Sequence, residues 1–218
     1  MARIRAIEHR DCERVAELHS AAMGNSLWAQ LGHRFLTELY RGLVDSPYFL
    51  GFVYEERDEH AERRILGFIA GSTDTDKMFK QVFSQRVALL SLTAAPRVLL
   101  RPALLLKLLQ TPKYSRLSTE GSADIPGESL FCSFEPQLRG KRIAGHINKV
   151  LFDDLLARGH SHIKISTETD NQGANRQLKS WGFEPIHAFR FYGKDMLTYA
   201  LDLEQSDRVE ARSLHRAV

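Results

Sequence analysis

Phe131 to Gly145 reads F-C-S-F-E-P-Q-L-R-G-K-R-I-A-G. An apolar run ends at Glu135-Pro136, a basic turn follows, and an apolar period near 3.6 opens at about Lys141. Strand, glycine-containing turn and helix N-terminus form a geometry suited to phosphate. The first N–H groups of the helix lack intrahelical acceptors, and its dipole adds partial positive charge there. Gly140 permits a tight turn, and Arg139, Lys141 and Arg142 surround it with positive charge.

Outward from this stretch the pattern is regular. Ser129–Phe134 reads as a strand begun by Glu128. Lys141–Arg158 reads as a helix with Ile143, Ile147, Val150, Leu151 and Leu155 on one face, Gly159 as its C-cap, and His162–Thr167 as a second strand. A strand, helix and strand of this length make a right-handed βαβ unit with parallel strands. Asp170-Asn171 then caps a short helix carrying Ala174, Leu178 and Trp181, which Gly182 ends. Two strands follow, Phe183–Tyr192 and Met196–Leu203, with Gly193-Lys194-Asp195 as their turn. Residues 204–218 form a charged tail that lacks periodicity and is expected to be frayed or disordered.

Toward the N-terminus, Ala2–Ile7 reads as an edge strand with arginines between Ile4 and Ile7. Asp11 is the expected cap of a helix reaching about Met23. Leu31, Phe35, Leu39 and Leu43 mark a second helix over Leu27–Val44, and Tyr48–Glu55 with Arg64–Ser72 reads as a β-hairpin. Residues 73–127 depart from the alternation. Met78, Phe79, Val82 and Phe83 suggest one helix, Pro96 interrupts the pattern, and Arg97–Gln110 gives a Leu-rich helix with Pro102 near its start. A polar loop, Ser115–Gly127, follows.

Composition bounds the function. The 218 residues are 43% hydrophobic, enough for a substantial core. The formal charge of +3 comes without a dense Lys/Arg block, which argues against a nucleic-acid partner. Cys12 and Cys132 are the only cysteines, so there is neither a disulfide framework nor a zinc spacing, and no metal is expected. His160 and His162 lack partners at ligand spacing. With no secretory h-region and no run of 18 apolar residues, a cytoplasmic protein is the expectation.

Gln137-x-x-Gly140, then a helix and a strand, then Asn171-x-x-Ala174 and Gly182-Phe183, resembles the GCN5-related N-acetyltransferase (GNAT) superfamily. The resemblance covers Glu128 to Leu203, and the order of N-terminal elements agrees with it. It implies an α/β fold: a mixed, mostly antiparallel sheet with helices on both faces, a central parallel βαβ pair, one domain over residues 1–203, and residues 73–127 as a helical insertion. It implies acetyl-CoA as acyl donor, no metal, and transfer to a primary amine, such as that of an amino sugar or another small molecule. By this resemblance the cofactor-binding positions are Phe134, Gln137, Leu138, Arg139, Gly140, Lys141, Arg142, Ile143, Ala144, Asn171 and Ala174. The backbone of Phe131–Phe134 would pair with the pantetheine arm.

Two positions depart from the family pattern. Arg142 replaces a small residue, and Leu178 replaces a tyrosine that protonates the departing thiolate. Tyr192 is a substitute acid if its strand reaches the site. Glu128 is the candidate base, since an attacking amine must lose its proton. Glu135 is expected to cap or face solvent, and Cys132 to be a small buried residue. Two further readings remain: an acyl-CoA-binding module without turnover, and transfer of a longer acyl chain that the Leu-rich insertion accommodates. That insertion is expected to pack on the sheet, with a homodimer interface or peripheral membrane contact through residues 97–110 as alternatives.

Overall fold

The structure, a computed structural model, describes residues 2–57, 62–111, 114, 117–118, 125–138 and 140–205. Arg139 and residues 206–218 of the tail lie outside the described residues. Seven strands form one sheet: β1 (Arg3–Ala6), β2 (Phe49–Arg57), β3 (Arg63–Ser72), β4 (Glu128–Phe134), β5 (His162–Glu168), β6 (Glu184–Phe191) and β7 (Lys194–Asp202). Their order is β1-β2-β3-β4-β5-β7-β6. Every neighbouring pair is antiparallel except β4 and β5, which are parallel.

Two apolar layers cover the sheet, because successive strand residues point to opposite faces. Phe68 and Ala70 of β3 join Val53 against α1 (Cys12–Met23), α2 (Leu27–Gln30), α3 (His33–Val44), α4 (Thr75–Leu100) and α5 (Ala103–Gln110). Ile69 points the other way, toward Ile147, Leu151 and Leu155 of α6 (Ile143–Ala157) and Leu178 and Trp181 of α7 (Gln172–Trp181). The resulting α/β architecture is the one expected.

Several local expectations are corrected. Asp11 does not cap α1. Its carboxylate accepts the Glu8 N–H at 2.8 Å and pairs with the Arg5 guanidinium, which removes it from the helix end. The stretch Leu27–Val44 is two helices, because Gly32 stands at φ +103° between them. Pro96 lies inside α4 without ending it, since proline costs a helix one donor and the break need not follow. The kink is instead at Arg86, at φ −119° and ψ 16°, whose guanidinium reaches Asp45 at 2.6 Å and Glu38 at 3.3 Å. The turn between β6 and β7 is Tyr192-Gly193, at φ +51° and +79°, the left-handed pair that a two-residue hairpin of this twist requires. Leu203–Gln205 adds a short 3-10 turn after β7.

The arginines of β1 have a structural partner. Glu55 on β2 is 3% exposed and is held by the guanidiniums of Arg3, Arg5 and Arg63. On the helical face, His19 is fully buried. Its Nδ1 lies 2.8 Å from the Tyr40 hydroxyl and its Nε2 3.3 Å from Ser26 Oγ. Burial pushes its pKa down to about 4, so the folded chain holds it neutral. A depressed histidine pKa contributes stability above the unfolded value near 6.5, and this is lost as pH falls toward 4. Urea unfolding should therefore show a loss on the order of 3 kcal/mol from this group between pH 7 and pH 4. His19→Gln should show a correspondingly shallower pH slope.

Candidate active site

The parallel pair is where the sheet opens. Only Glu128↔Lys164 and Ser129↔Ile165 are registered between β4 and β5. At the next residue β4 carries a bulge: Gly71 faces Ser129 and Ala70 faces Phe131, so Leu130 has no partner on β3. A bulge bends its strand and increases local twist. Phe131–Phe134 thus departs from Ser166–Glu168, and β4 keeps only β3 while β5 keeps only β7. The facing edges of the split carry backbone donors and acceptors available to an extended ligand.

At the open end lies the basic turn. Glu135 donates its N–H to Leu66 O at 2.8 Å, and its carboxylate is gripped by Arg14, by Arg64 at 3.2 Å and by the Gln137 amide at 2.9 Å. Glu135 therefore anchors the turn rather than capping it or facing solvent, and the Gln137 side chain is committed to it. Pro136–Leu138 form a 3-10 turn, and Leu138 is buried with Ile143 and Leu66 under Phe134. Gly140 stands at φ +78°, and a Cβ there would meet no atom within 4 Å. The glycine is required by its left-handed backbone rather than by crowding.

Arg142, the N-cap of α6, is also left-handed at φ +62°, with no side-chain cap. The Lys141 N–H is used inside the turn, donating to Leu138 O at 3.2 Å, while the N–H groups of Ile143 and Ala144 lie in the first turn of α6, where a helix offers them no acceptor. Lys141 and Gly140 are exposed and Arg142 is half-buried. Beside this turn an open hollow of about 530 Å³ is lined by Arg3, which is paired with Glu55, and by Tyr54, Lys141, Ile143 and His146.

The second helix N-terminus follows β5. Asn171 Oδ1 accepts the Ala174 N–H at 3.2 Å, as a cap should, and Asn175 ties the preceding turn through the carbonyls of Glu168, Thr169 and Asn171. Asn171 is exposed and Ala174 half-buried. Both helix N-termini thus sit beyond the carboxyl ends of the two parallel strands, the edge at which open α/β sheets bind ligands.

At the closed end stands Glu128. It is 1% exposed; its Oε2 accepts from Thr75 Oγ1 at 2.8 Å and its Oε1 from the Tyr114 hydroxyl at 2.9 Å. Burial raises its pKa, while the positive charge of Lys164 and the two hydroxyl donors oppose that rise. Tyr114 is the functional candidate that sequence reading misses. It comes from the insertion, its ring lies against Phe189 and Phe191 of β6, and its hydroxyl also interacts with Ser166 of β5. The phenol therefore bridges β4 and β5 at the point where their ladder ends.

The other acid positions are settled by packing. Leu178 is buried in the layer with Phe152 and Trp181. Tyr192 sits in the hairpin turn, with its hydroxyl 2.7 Å from Thr111 Oγ1. Cys132 is exposed on the split part of β4, 3.8 Å from Asn148 Nδ2, rather than buried as expected. Among the described residues, no group of three or more His, Cys, Asp or Glu side chains could hold a metal ion.

This fold, with its split parallel pair and a basic turn at one end, is shared with solved acetyltransferases. A protein from Desulfovibrio desulfuricans assigned to the GNAT acetyltransferases superposes with a TM-score of 0.56 at 11% identity, over 93% of this chain and 99% of that one. The NatC complex bound to Gag peptide and CoA contains a chain matching with a TM-score of 0.54 at 12% identity, over 92% and 98%. These are likenesses of fold. In sequence, a mycothiol acetyltransferase of Brachybacterium faecium is 31% identical over 64 residues, which span 29% of this chain and 19% of that relative's length. No family model matches the chain.

The left-handed Arg142 gives a direct test of the turn. Arg142→Gly should stabilise the fold by about 1 kcal/mol, because glycine adopts positive φ without a Cβ penalty. Thermal unfolding reads this out; an unchanged or lowered midpoint would mean that the side chain contributes packing that outweighs the strain.

Proposed function

We propose that the chain is an acetyl-CoA-dependent N-acetyltransferase acting on a primary amine. The observation that carries this reading is the split between β4 and β5, with phosphate-type backbone donors at its open end and a buried carboxylate at its closed end. Six strand steps separate Glu128 from Phe134, roughly 20 Å, room for an extended arm between the two features. In this reading the N–H groups of Gly140, Arg142, Ile143 and Ala144 receive the pyrophosphate, with the exposed Lys141 side chain beside them. Phe131–Phe134 pairs with the pantetheine, and the thioester lies near Leu130. A CoA-bound neighbour of the same fold and the acetyltransferase relative support the donor.

The residues at the closed end define the proton path. An ammonium must become an amine before it attacks the thioester carbon. Both oxygens of Glu128 are occupied inside the protein, so Glu128 meets the cleft through the Tyr114 hydroxyl. Tyr114 accepts the proton that leaves the attacking nitrogen as it passes its own to Glu128. The neutral amine then forms the carbon–nitrogen bond, the carbon–sulfur bond breaks, and the second nitrogen proton passes to the departing thiolate, a tolerable leaving group at a thiol pKa near 8.5. This chemistry dispenses with a tyrosine at Leu178, whose side chain belongs to the core.

A binding module without turnover is the second reading, and one observation favours it: Glu128 has the satisfied environment of a purely structural carboxylate. Thiol release from acetyl-CoA, measured across amino sugars, polyamines, amino acids and peptides, separates the two. Release with at least one amine is expected; CoA binding without release on any of them would favour the module. Glu128→Gln should lower the rate about a hundredfold or more with little change in CoA affinity. Tyr114→Phe removes the relay hydroxyl itself, so the rate should fall about as far as in Glu128→Gln, and the acidic limb of any remaining activity should move to higher pH because a donor to the carboxylate is lost. An undiminished rate would detach Tyr114 from the proton path.

A further inference from the structure

We propose that the helical insertion is a docking surface for an anionic lipid bilayer, on which α4 and α5 lie flat. The first observation is apolar exposure. Among the described residues, all but two of the exposed large hydrophobic side chains lie between Val87 and Leu109. Leu99 is 83% exposed, Leu100 77%, Leu92 71%, Leu109 67% and Leu106 64%. Leu92 and Leu99, seven apart on α4, stand opposite the buried Leu90 and Ala94; on α5, Leu105, Leu106 and Leu109 stand opposite the buried Leu104 and half-buried Leu108. The inward sides of both helices join the core with Trp28, Phe79 and Phe83, so the outward leucines are an addition to folding rather than part of it. An apolar surface concentrated in one segment marks an interaction site.

The second observation is charge, and it selects the occupant. Residues 77–119 contain eight Lys and Arg and no Asp or Glu, which leaves 22 basic against 27 acidic residues in the rest of the chain; Lys77 is paired with Asp74 and Arg86 with Glu38 and Asp45, so the charge offered outward comes from Arg97, Arg101 and Lys107 among the leucines. The protein is therefore polarised, with a basic, leucine-covered segment on a net acidic body. Arg97 and Arg101 are exposed and Lys107 half-buried among those leucines, placed to reach headgroups while their stems lie along the acyl boundary. A second copy of this chain would bring the same positive charge face to face. Neither helix spans the bilayer, since no described helix is long and apolar enough to cross one. The same insertion supplies Tyr114 to Glu128, so a docked face would be joined through the chain to the closed end of the cleft.

The test is flotation of the full chain with vesicles of phosphatidylcholine alone and with about one-third phosphatidylglycerol. Partition onto the anionic vesicles should be at least about tenfold higher and should fall as salt shortens the screening length. Leu99→Glu with Leu106→Glu should abolish it while leaving thermal unfolding unchanged, because both side chains are exposed. Arg101→Gln with Lys107→Gln should reduce the anionic preference. Equal weak partition onto both vesicles, or wild-type binding by the leucine variant, would overturn the proposal. So would a concentration-dependent dimer in sedimentation that the leucine substitutions dissolve. None of these readouts requires CoA binding or turnover, so the docking surface and the transferase reading stand or fall separately.

Discussion

One extra residue in β4 determines where the sheet opens between β4 and β5. Leu130 has no partner on β3, and the ladder between β4 and β5 ends at the residue before it. A continuous sheet would satisfy its backbone internally and leave no room for an extended ligand between strands. By bending β4 away, the bulge exposes two facing edges and directs Phe131–Phe134 toward the turn at Gly140. The rest of the molecule holds that opening in place. Ser133 Oγ donates to Leu18 O at 2.9 Å and ties β4 to α1, while Ile147 and Leu151 hold α6 under β3. The cluster of Leu66, Leu138 and Ile143 fixes where the helix begins.

The two ends of the split are built from different physics. The turn is exposed and relies on backbone geometry, with two residues at positive φ and Lys141 at its surface. The closed end is dry: Glu128 is buried, and burial favours its protonated form against the nearby Lys164 and two hydroxyl donors. The insertion serves the closed end alone, since α4 gives Thr75 and the segment beyond α5 gives Tyr114, both to Glu128.

The βαβ unit is legible in the sequence because its helix keeps a clean 3.6-residue period between two short β-rich runs. Asn171 is legible because capping chemistry is local. The bulge is not, because an unpaired Leu130 looks like any apolar strand residue until β3 is beside it. Arg142 shows the same limit: it breaks the small-residue pattern in sequence, but only the chain path shows it in a left-handed conformation that a glycine would prefer. Pro96 overstates a break, since helix α4 is held by Ala94 before it and Val98 after it against the core. Tyr114 carries no periodic mark at all. Its role rests on a hydrogen bond to a residue 14 positions away and on ring contacts to β6.

The central claim is that the left-handed turn at Gly140 holds the pyrophosphate of CoA, and calorimetric titration of CoA into the wild-type chain and Gly140→Val tests it most directly. Valine at positive φ costs the fold about 1–2 kcal/mol and displaces the N–H groups of the turn. The account predicts saturable CoA binding to the wild-type chain and its loss in the variant, with thermal unfolding showing the variant still folded at the titration temperature. No heat of binding to the wild-type chain, or equal affinity in a folded variant, would contradict it.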